Sequence, residues 1–253
     1  MTALAGHHAV VTGGGRGIGR AIAAALSNTG ANVTIVGRAE SPLKEVVSLG
    51  LAHAYQVADV TDAASVQTAF ARAAQVHGPI SLLVANAGAA QSAPFAKTDP
   101  DLFRRMFEVN TLGVVHAAQV VLKGMVERKF GRIIAIASTA GLKGYPYVSA
   151  YVTAKHATVG LVRALAAETS KTGVTVNALC PGYTDTDLVD ESLAKITKAT
   201  GRSREDALAL LLKDSPLGRL IKPEEVAAAV VFLCSNEAAA ITGTALPISG
   251  GEI

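Results

Sequence analysis

"VVTGGGRGIGRAIAAAL" runs from Val10 to Leu26, and its reading decides the fold. β-Branched residues lead into it, and an alanine-rich pattern with helical spacing leads out. Between them stand glycines 13, 14, 15, 17 and 19. A strand, a glycine turn and a helix in that order bring bare backbone and a helix N-terminus to one point, which suits a pyrophosphate. The glycines do not fit G-x-G-x-x-G. They fit T-G-x-x-x-G-x-G, with Thr12, Gly13, Gly17 and Gly19 at the fixed positions and Gly15, Arg16 and Ile18 between them.

The same alternation repeats along the chain. Short runs rich in Val, Ile and Leu occupy 7–12, 32–37, 53–60, 80–86, 131–138, 173–180 and 244–249. Most do not alternate with polar residues, the pattern of strands buried on both faces. Helical spacing fills 20–30, 61–78, 99–131, 149–173 and 222–238. Gly30 and Gly78 are candidate C-caps, Thr61 and Asp62 candidate N-caps, and Pro100 and Pro223 sit in first turns. The segment 99–131 is long enough for one extended helix. This order predicts an α/β fold: a doubly wound parallel sheet of about seven strands with helices on both faces and right-handed crossovers. No linker or composition break divides residues 1–253, so one domain is expected. The rhythm breaks once, at about 183–222, where two helical patterns are inserted. The stretch 187–215 is expected to cover a ligand crevice at the strand ends.

The second strand run ends in "TIVGRAE". An acid commonly stands at such a strand end and binds an adenosine ribose hydroxyl. Here Gly37 and Arg38 follow instead. Arg38 suits a 2′-phosphate in a forked geometry, and Arg16 is a second candidate for it. NADP(H) is therefore preferred over NAD(H), with Glu40 left as an alternative ribose ligand. Asp59, with Val60 after it, is a candidate for the adenine edge or an ordinary turn residue.

Taken together, "TGGGRGIG" (12–19), "ANAG" (85–88), Asn110 in "VNTLG", Ser138 in "IAST", "YVTAK" (151–155) and "PGYTDT" (181–186) resemble the short-chain dehydrogenase/reductase family in its single-domain form. The resemblance covers essentially the whole chain. It implies a Rossmann fold, a nicotinamide cofactor, and Asn110, Ser138, Tyr151 and Lys155 as catalytic residues. It also implies that Asn110 is linked to a water relaying protons to Lys155, and that Lys155 reaches a nicotinamide ribose hydroxyl. Pro181, Gly182, Thr184 and Thr186 would then lie against the nicotinamide. "ANAG" departs from the family's usual double asparagine, since Ala85 stands in place of the first. Asn86, Ala87 and Gly88 remain for the adenosine side. Halohydrin-cleaving relatives lack the lysine and the glycine loop that this chain keeps.

Chemistry supports the same assignment. Hydride transfer to a ketone leaves an alkoxide that needs a proton. Tyr151 can donate it, and Lys155, one turn further on, lies on the same helix face. Its charge is expected to lower the phenol's pKa toward working pH. Ser138, at a strand end, can hydrogen-bond the substrate oxygen. His116 and His156 read as packing or interface residues.

Substrate contacts are expected from 89–96, 139–148 and 187–215, including Leu142, Tyr145, Tyr147, Leu188, Val189, Leu193 and Ile196. This mixed lining suits a medium-sized carbonyl compound. The resemblance extends to 3-oxoacyl thioester reductases and equally to secondary-alcohol dehydrogenases. Lys195, Lys198, Arg202, Arg204 and Lys213 could meet a thioester's phosphate or form a solvated face. An NAD-dependent dehydrogenase of a hydroxy acid or cyclic alcohol is one alternative. A cofactor-binding regulator without catalysis is another.

Net charge is +3, without like-charge runs, which argues against nucleic acid and polybasic membrane contacts. Cys180 and Cys234 read as buried thiols, and no metal-ligand spacing is present. No signal peptide and no apolar run near ~18 residues is seen, so a cytoplasmic location is expected. Family analogy implies a homotetramer, with the C-terminal "PISGGEI" close to a neighbouring subunit.

Overall fold

The β-branched runs form the strands, and their burial sets the layers. The computed structural model describes residues 4–253, the side chain of Ala199 excepted. Met1–Ala3, part of the segment read for an address signal, lie outside the described residues.

Seven parallel strands form one sheet in the order β3-β2-β1-β4-β5-β6-β7. They are β1 (His8–Thr12), β2 (Asn32–Gly37), β3 (Ala54–Val57), β4 (Leu82–Ala85), β5 (Gly131–Ile136), β6 (Val174–Pro181) and β7 (Ala245–Ile248). Val10 pairs with Thr34 on one side and Leu83 on the other, so β1 is central. The order reverses between β1 and β4, and such a switch point opens a crevice at the strand carboxyl ends.

Alternate residues of each central strand feed opposite layers. Val10, Leu83, Ile133 and Val176 pack under α3 (Ala63–His77), α5 (Gly113–Glu127) and α6 (Ser149–Thr169). Val11, Leu82, Val84 and Ile134 pack under α1 (Gly17–Asn28), α2 (Glu40–Ser48) and α9 (Pro223–Cys234). Cys180 and Cys234 are free buried thiols.

Helix ends follow local chemistry. Asp62, rather than Thr61, caps α3 by accepting from the amides of Ala64 and Ser65. Gly30 takes a left-handed φ of 87° just after α1. The helix α2 was not among the sequence-predicted elements. Its short "ESPLKEVVS" buries only Leu43 and Val46 and offers little periodic signal.

The expected extended helix over 99–131 is present but divided. α4 (Pro100–Phe107) passes into a π-helical turn, Glu108–Leu112, before α5 begins. A π turn leaves carbonyls without their usual partner four residues on. Asn110 answers this with its own side chain, donating from Nδ2 to the Met106 carbonyl at 2.9 Å. The stretch Pro100–Glu127 is long and apolar enough to cross a membrane by length and composition, against the sequence reading that no such stretch exists. Its buried face, Leu102, Met106, Val114, Ala117, Val121 and Met125, packs into the protein core.

α7 (Asp187–Thr200) and α8 (Arg204–Leu211) form the insertion between β6 and α9. Val189, Leu193 and Ala207 give the pair a small core of its own. The C-terminal residues pack within the same chain, where Glu252 meets Lys143 and Tyr145.

Candidate active site

A cleft of about 470 Å³ opens at the switch point, between the glycine loop and the N-terminal half of α6. That volume lies in the range of small-molecule sites. Gly13, Gly15, Arg16, Gly17, Ile18 and Gly19 line one end, and Asn110, Tyr151 and Lys155 line the other.

The glycine end is knit together by two residues that serve backbone rather than ligand. Thr12 Oγ1 accepts from the amides of Asn86 (3.0 Å) and Ala87 (3.1 Å). Asn86 Nδ2 donates to the carbonyls of Thr12 (2.9 Å) and Gly13 (3.2 Å). Thr12 itself does not reach the cleft. Gly13 has φ +67°, and a side chain there would collide with Asn86 Nδ2 at 2.8 Å. Gly19 leaves no room for a Cβ against the Gly13 carbonyl. These glycines therefore allow β1, β4 and α1 to meet.

A pyrophosphate fits this end on the chain's own chemistry. Arg16 precedes α1 without a side-chain cap, and no acid stands in the first turn. The free amides and the positive end of α1 thus face the cleft. Gly88 is bare at the opposite wall, where a Cβ would lie 2.7 Å from Asn110 Oδ1 and 3.6 Å from Lys155 Nζ.

At the adenosine end Arg38 is exposed and lines the cleft, with no ion pair among the described residues. Glu40 is diverted. It pairs with Lys44 at 3.1 Å, accepts from the Tyr55 hydroxyl at 2.9 Å, and does not line the cleft. Arg16 turns across the mouth toward Asp187, 3.5 Å away. Asp59 is a turn residue that also lines the cleft. Its Oδ1 accepts from the amide and hydroxyl of Thr61, a turn role, while the residue and Val60 line the cleft. Those Thr61 bonds, chiefly the backbone one, hold the Asp59 carboxyl below its ordinary pKa, with a smaller contribution from Arg38.

At the other end Tyr151 and Lys155 are positioned by the first two turns of α6. Lys155 Nζ donates to the Ile136 carbonyl at 2.9 Å, and Lys155 is 4% exposed. Burial pushes the Lys155 ammonium down to about 8. It also pushes the Tyr151 phenol up to about 12, against the lowering effect of the nearby Ser138 hydroxyl. This corrects the expectation that Lys155 brings the phenol toward neutrality. Both groups lose solvation, and in the protein alone that effect dominates. Ser138 begins a short 3₁₀ turn, Thr139–Gly141, and its Oγ accepts from the Ala140 amide at 3.1 Å. Ser138 does not line the cleft, but it reaches it through the phenol.

Asn110 faces the cleft with its side chain already engaged. Nδ2 donates to the Ala89 carbonyl at 2.9 Å as well as to Met106, and Oδ1 accepts from the Ala89 amide at 3.3 Å. Its main-chain carbonyl accepts from the Thr158 hydroxyl at 2.9 Å.

The "PGYTDT" segment divides. Thr186 lines the cleft, whereas Pro181, Gly182 and Thr184 do not. Thr184 is buried and donates to the Gly182 carbonyl at 3.0 Å, shaping the turn. Sequence reasoning missed Pro42, Leu43, Val109 and Ile136 as lining residues, and placed Asp187 and Leu188 on the substrate side. Ordinary apolar side chains carry no local signal of a cleft.

Residues 7–197 match the model of the short chain dehydrogenase family. The chain is 35% identical over 249 residues to a putative ketoacyl reductase of Streptomyces coelicolor, covering 96% of this chain and 95% of that one. It is 36% identical over 255 residues to D-beta-hydroxybutyrate dehydrogenase of Cupriavidus necator, covering 99% of each. Among solved structures, a single-residue variant of actinorhodin polyketide ketoreductase with NADPH superposes with a TM-score of 0.92 at 34% identity. That match covers 100% of this chain and 98% of the other.

Proposed function

The chain belongs to the short-chain dehydrogenase/reductase family, and from that premise we propose that it is an NADP(H)-dependent reductase of a medium-sized ketone. The coarser activity follows from membership: it is an NAD(P)-dependent oxidoreductase acting on CH–OH groups. One observation carries the finer reading. Tyr151, Lys155 and the unpaired guanidinium of Arg38 line a single cleft.

Bound at the glycine end, a nicotinamide dinucleotide supplies or takes up the hydride. The chain's own residues do the rest. The α1 amides would hold the pyrophosphate and Arg38 the 2′-phosphate. Ser138, near enough to Tyr151 to act on its phenol, offers its hydroxyl to a substrate oxygen. A phenol near 12 stays protonated at neutral pH, so Tyr151 stands ready to give its proton to the nascent alkoxide. Lys155, anchored on Ile136, keeps a donor beside that ring.

The substrate class we favour is a 3-oxoacyl thioester, with a secondary alcohol or its ketone second. The putative ketoacyl reductase and the polyketide ketoreductase point to the first, and the hydroxybutyrate dehydrogenase to the second. We assign α7 and α8 the role of substrate cover. We also propose a cytoplasmic homotetramer, for which the exposed Phe107 and Val120 on the α4–α5 face supply apolar surface.

A screen of ketones and secondary alcohols, run in both directions with NADP(H) and NAD(H), tests this reading. NADPH oxidation by a 3-oxoacyl thioester or a medium-sized ketone is expected. Tight NADPH binding without turnover of any carbonyl compound would replace the enzyme with a cofactor-binding regulator.

A further inference from the structure

We propose that Glu252 is the positioning residue of the substrate-side wall, acting through Tyr145 on the turn that carries Ser138. The proposal rests on the reductase reading for its catalytic consequence.

Glu252 is a buried acid that the chemistry above does not use. Its side chain is 5% exposed. A carboxylate that deep costs free energy unless it is paired and hydrogen-bonded. Here Oε1 takes two partners: the Tyr145 hydroxyl at 2.6 Å and Lys143 Nζ at 2.9 Å. The same ammonium lies 5.0 Å from the centroid of the Tyr145 ring. Tyr145 also meets Thr139 Oγ1 at 2.7 Å. A phenol has one proton, and a carboxylate can only accept. The proton order is therefore Thr139 hydroxyl to Tyr145 oxygen, and Tyr145 hydroxyl to Glu252. Burial and this carboxylate push the Tyr145 phenol well above its ordinary pKa, so it remains a donor at every working pH.

The chain is bent to put Glu252 there. Gly250 and Gly251 hold left-handed φ values of 62° and 90°, and a Cβ on Gly250 would strike Leu217 Cβ at 2.5 Å. Gly182 is bare on the other side, where a Cβ would come within 3.2 Å of Glu252 Oε2. The glycine of "PGYTDT" thus makes room for this carboxylate.

The network reaches the reacting groups by two routes. Thr139 directly follows Ser138 and opens its 3₁₀ turn. Tyr145 packs edge-on against Tyr183, with ring centroids 6.3 Å apart. Tyr183 in turn is close enough to Tyr151 to raise its pKa. Glu252 consequently fixes the floor under Ser138 and one ring beyond Tyr151, while touching neither.

The test uses the full chain with Glu252→Gln, Tyr145→Phe and the double variant. NADPH binding is read by fluorescence, and kcat and KM are read with ethyl 3-oxobutanoate. Hydrogen exchange of residues 139–148 is read by mass spectrometry. Either single substitution is expected to lower kcat/KM for the ketone about tenfold or more, the scale of one hydrogen bond to a charged group. The Kd for NADPH should stay within about twofold, because the glycine end is not involved. Exchange in 139–148 should rise while that in 12–19 stays unchanged. The double variant should be no worse than the poorer single, since one acts through the other. Additive losses, or unchanged exchange in 139–148, would overturn the proposal. If Glu252→Gln fails to fold, Tyr145→Phe and Lys143→Met provide the same exchange readout. A wild-type protein inactive on every carbonyl compound of the screen would sink the reductase reading, and the exchange data would still decide the clamp.

Discussion

Lys155 Nζ lies 5.6 Å from the centroid of the Tyr151 ring and donates to the main-chain carbonyl of Ile136. The cation is thus held beside the phenol by the sheet, not by the phenol. Tyr151 sits near 12 and Lys155 near 8, both displaced by burial. Protonated Tyr151 is the form that reduction needs. Ketone reduction should therefore keep its rate across neutral pH. Alcohol oxidation needs the phenolate and should climb as pH rises toward the phenol's value. Initial rates in both directions from neutral to alkaline pH check this. Tyr151→Phe should cut kcat by about 10² or more, the scale of lost acid–base catalysis, and leave NADPH binding near wild type. Wild-type turnover in that variant would remove the residue from the chemistry.

The adenosine end makes its own prediction. Arg38 lines the cleft without an ion-pair partner among the described residues, and Glu40 is occupied by Lys44 and Tyr55. Arg38→Asp should move the ratio of kcat/KM for NADPH over NADH down by about 10- to 100-fold, the scale of a charge-assisted hydrogen bond. A ratio unchanged by the substitution would show that Arg38 does not read the phosphate.

How much of this was legible follows from where the signals lie. Strand runs such as 131–138 and 173–180 appear as continuous β-branched stretches because both faces are buried, and the sheet follows from them. The glycine loop is legible because three elements meet there and side chains do not fit. The π turn at Asn110 was not legible. It is bonded to a tertiary partner, the Thr158 hydroxyl, contributed by a different helix. The direction of the Tyr151 shift was misjudged for a related reason. Proximity along a helix is readable from spacing, but desolvation is set by burial in the folded protein, which spacing does not carry. Gly182 reads as a ligand contact in the sequence, and its true neighbour, Glu252, lies far along the chain.

Thr158 holds the Asn110 carbonyl at 2.9 Å, and Thr111 donates to the Ala154 carbonyl at 2.9 Å, so two buried hydroxyls join the π turn to α6. Thr158→Val keeps the shape and removes the donor. It should cost about 1–3 kcal/mol, because a buried carbonyl is left unsatisfied. For a chain of this size that corresponds to a Tm lower by roughly 2–4 °C per kcal/mol. Calorimetry of the two proteins checks it, and an unchanged Tm would mean that the π turn stands without this bond.

The far end of the sheet should add to the acid sensitivity of the fold. His8 bonds the Gly78 carbonyl at 2.8 Å and Thr34 Oγ1 at 2.9 Å, and its ring lies 5.5 Å from that of His77. His77 Nε2 is buried without a hydrogen-bond partner among the described residues. Burial lowers the pKa of both rings, each also feeling a neighbouring imidazole, and burial lowers that of His7 as well. The folded protein thus binds fewer protons at these sites than the unfolded chain. Stability contributed by the neutral rings is complete above their unfolded value of about 6.5 and is lost as pH falls below it. Denaturant unfolding at pH values of about 7.5, 6 and 5, which bracket that value, should show this decline. His77→Leu removes one titrating ring and the unpaired nitrogen together, so its loss across the same range should be the smaller. An equal decline in both proteins would exclude His77 as a contributor to acid sensitivity.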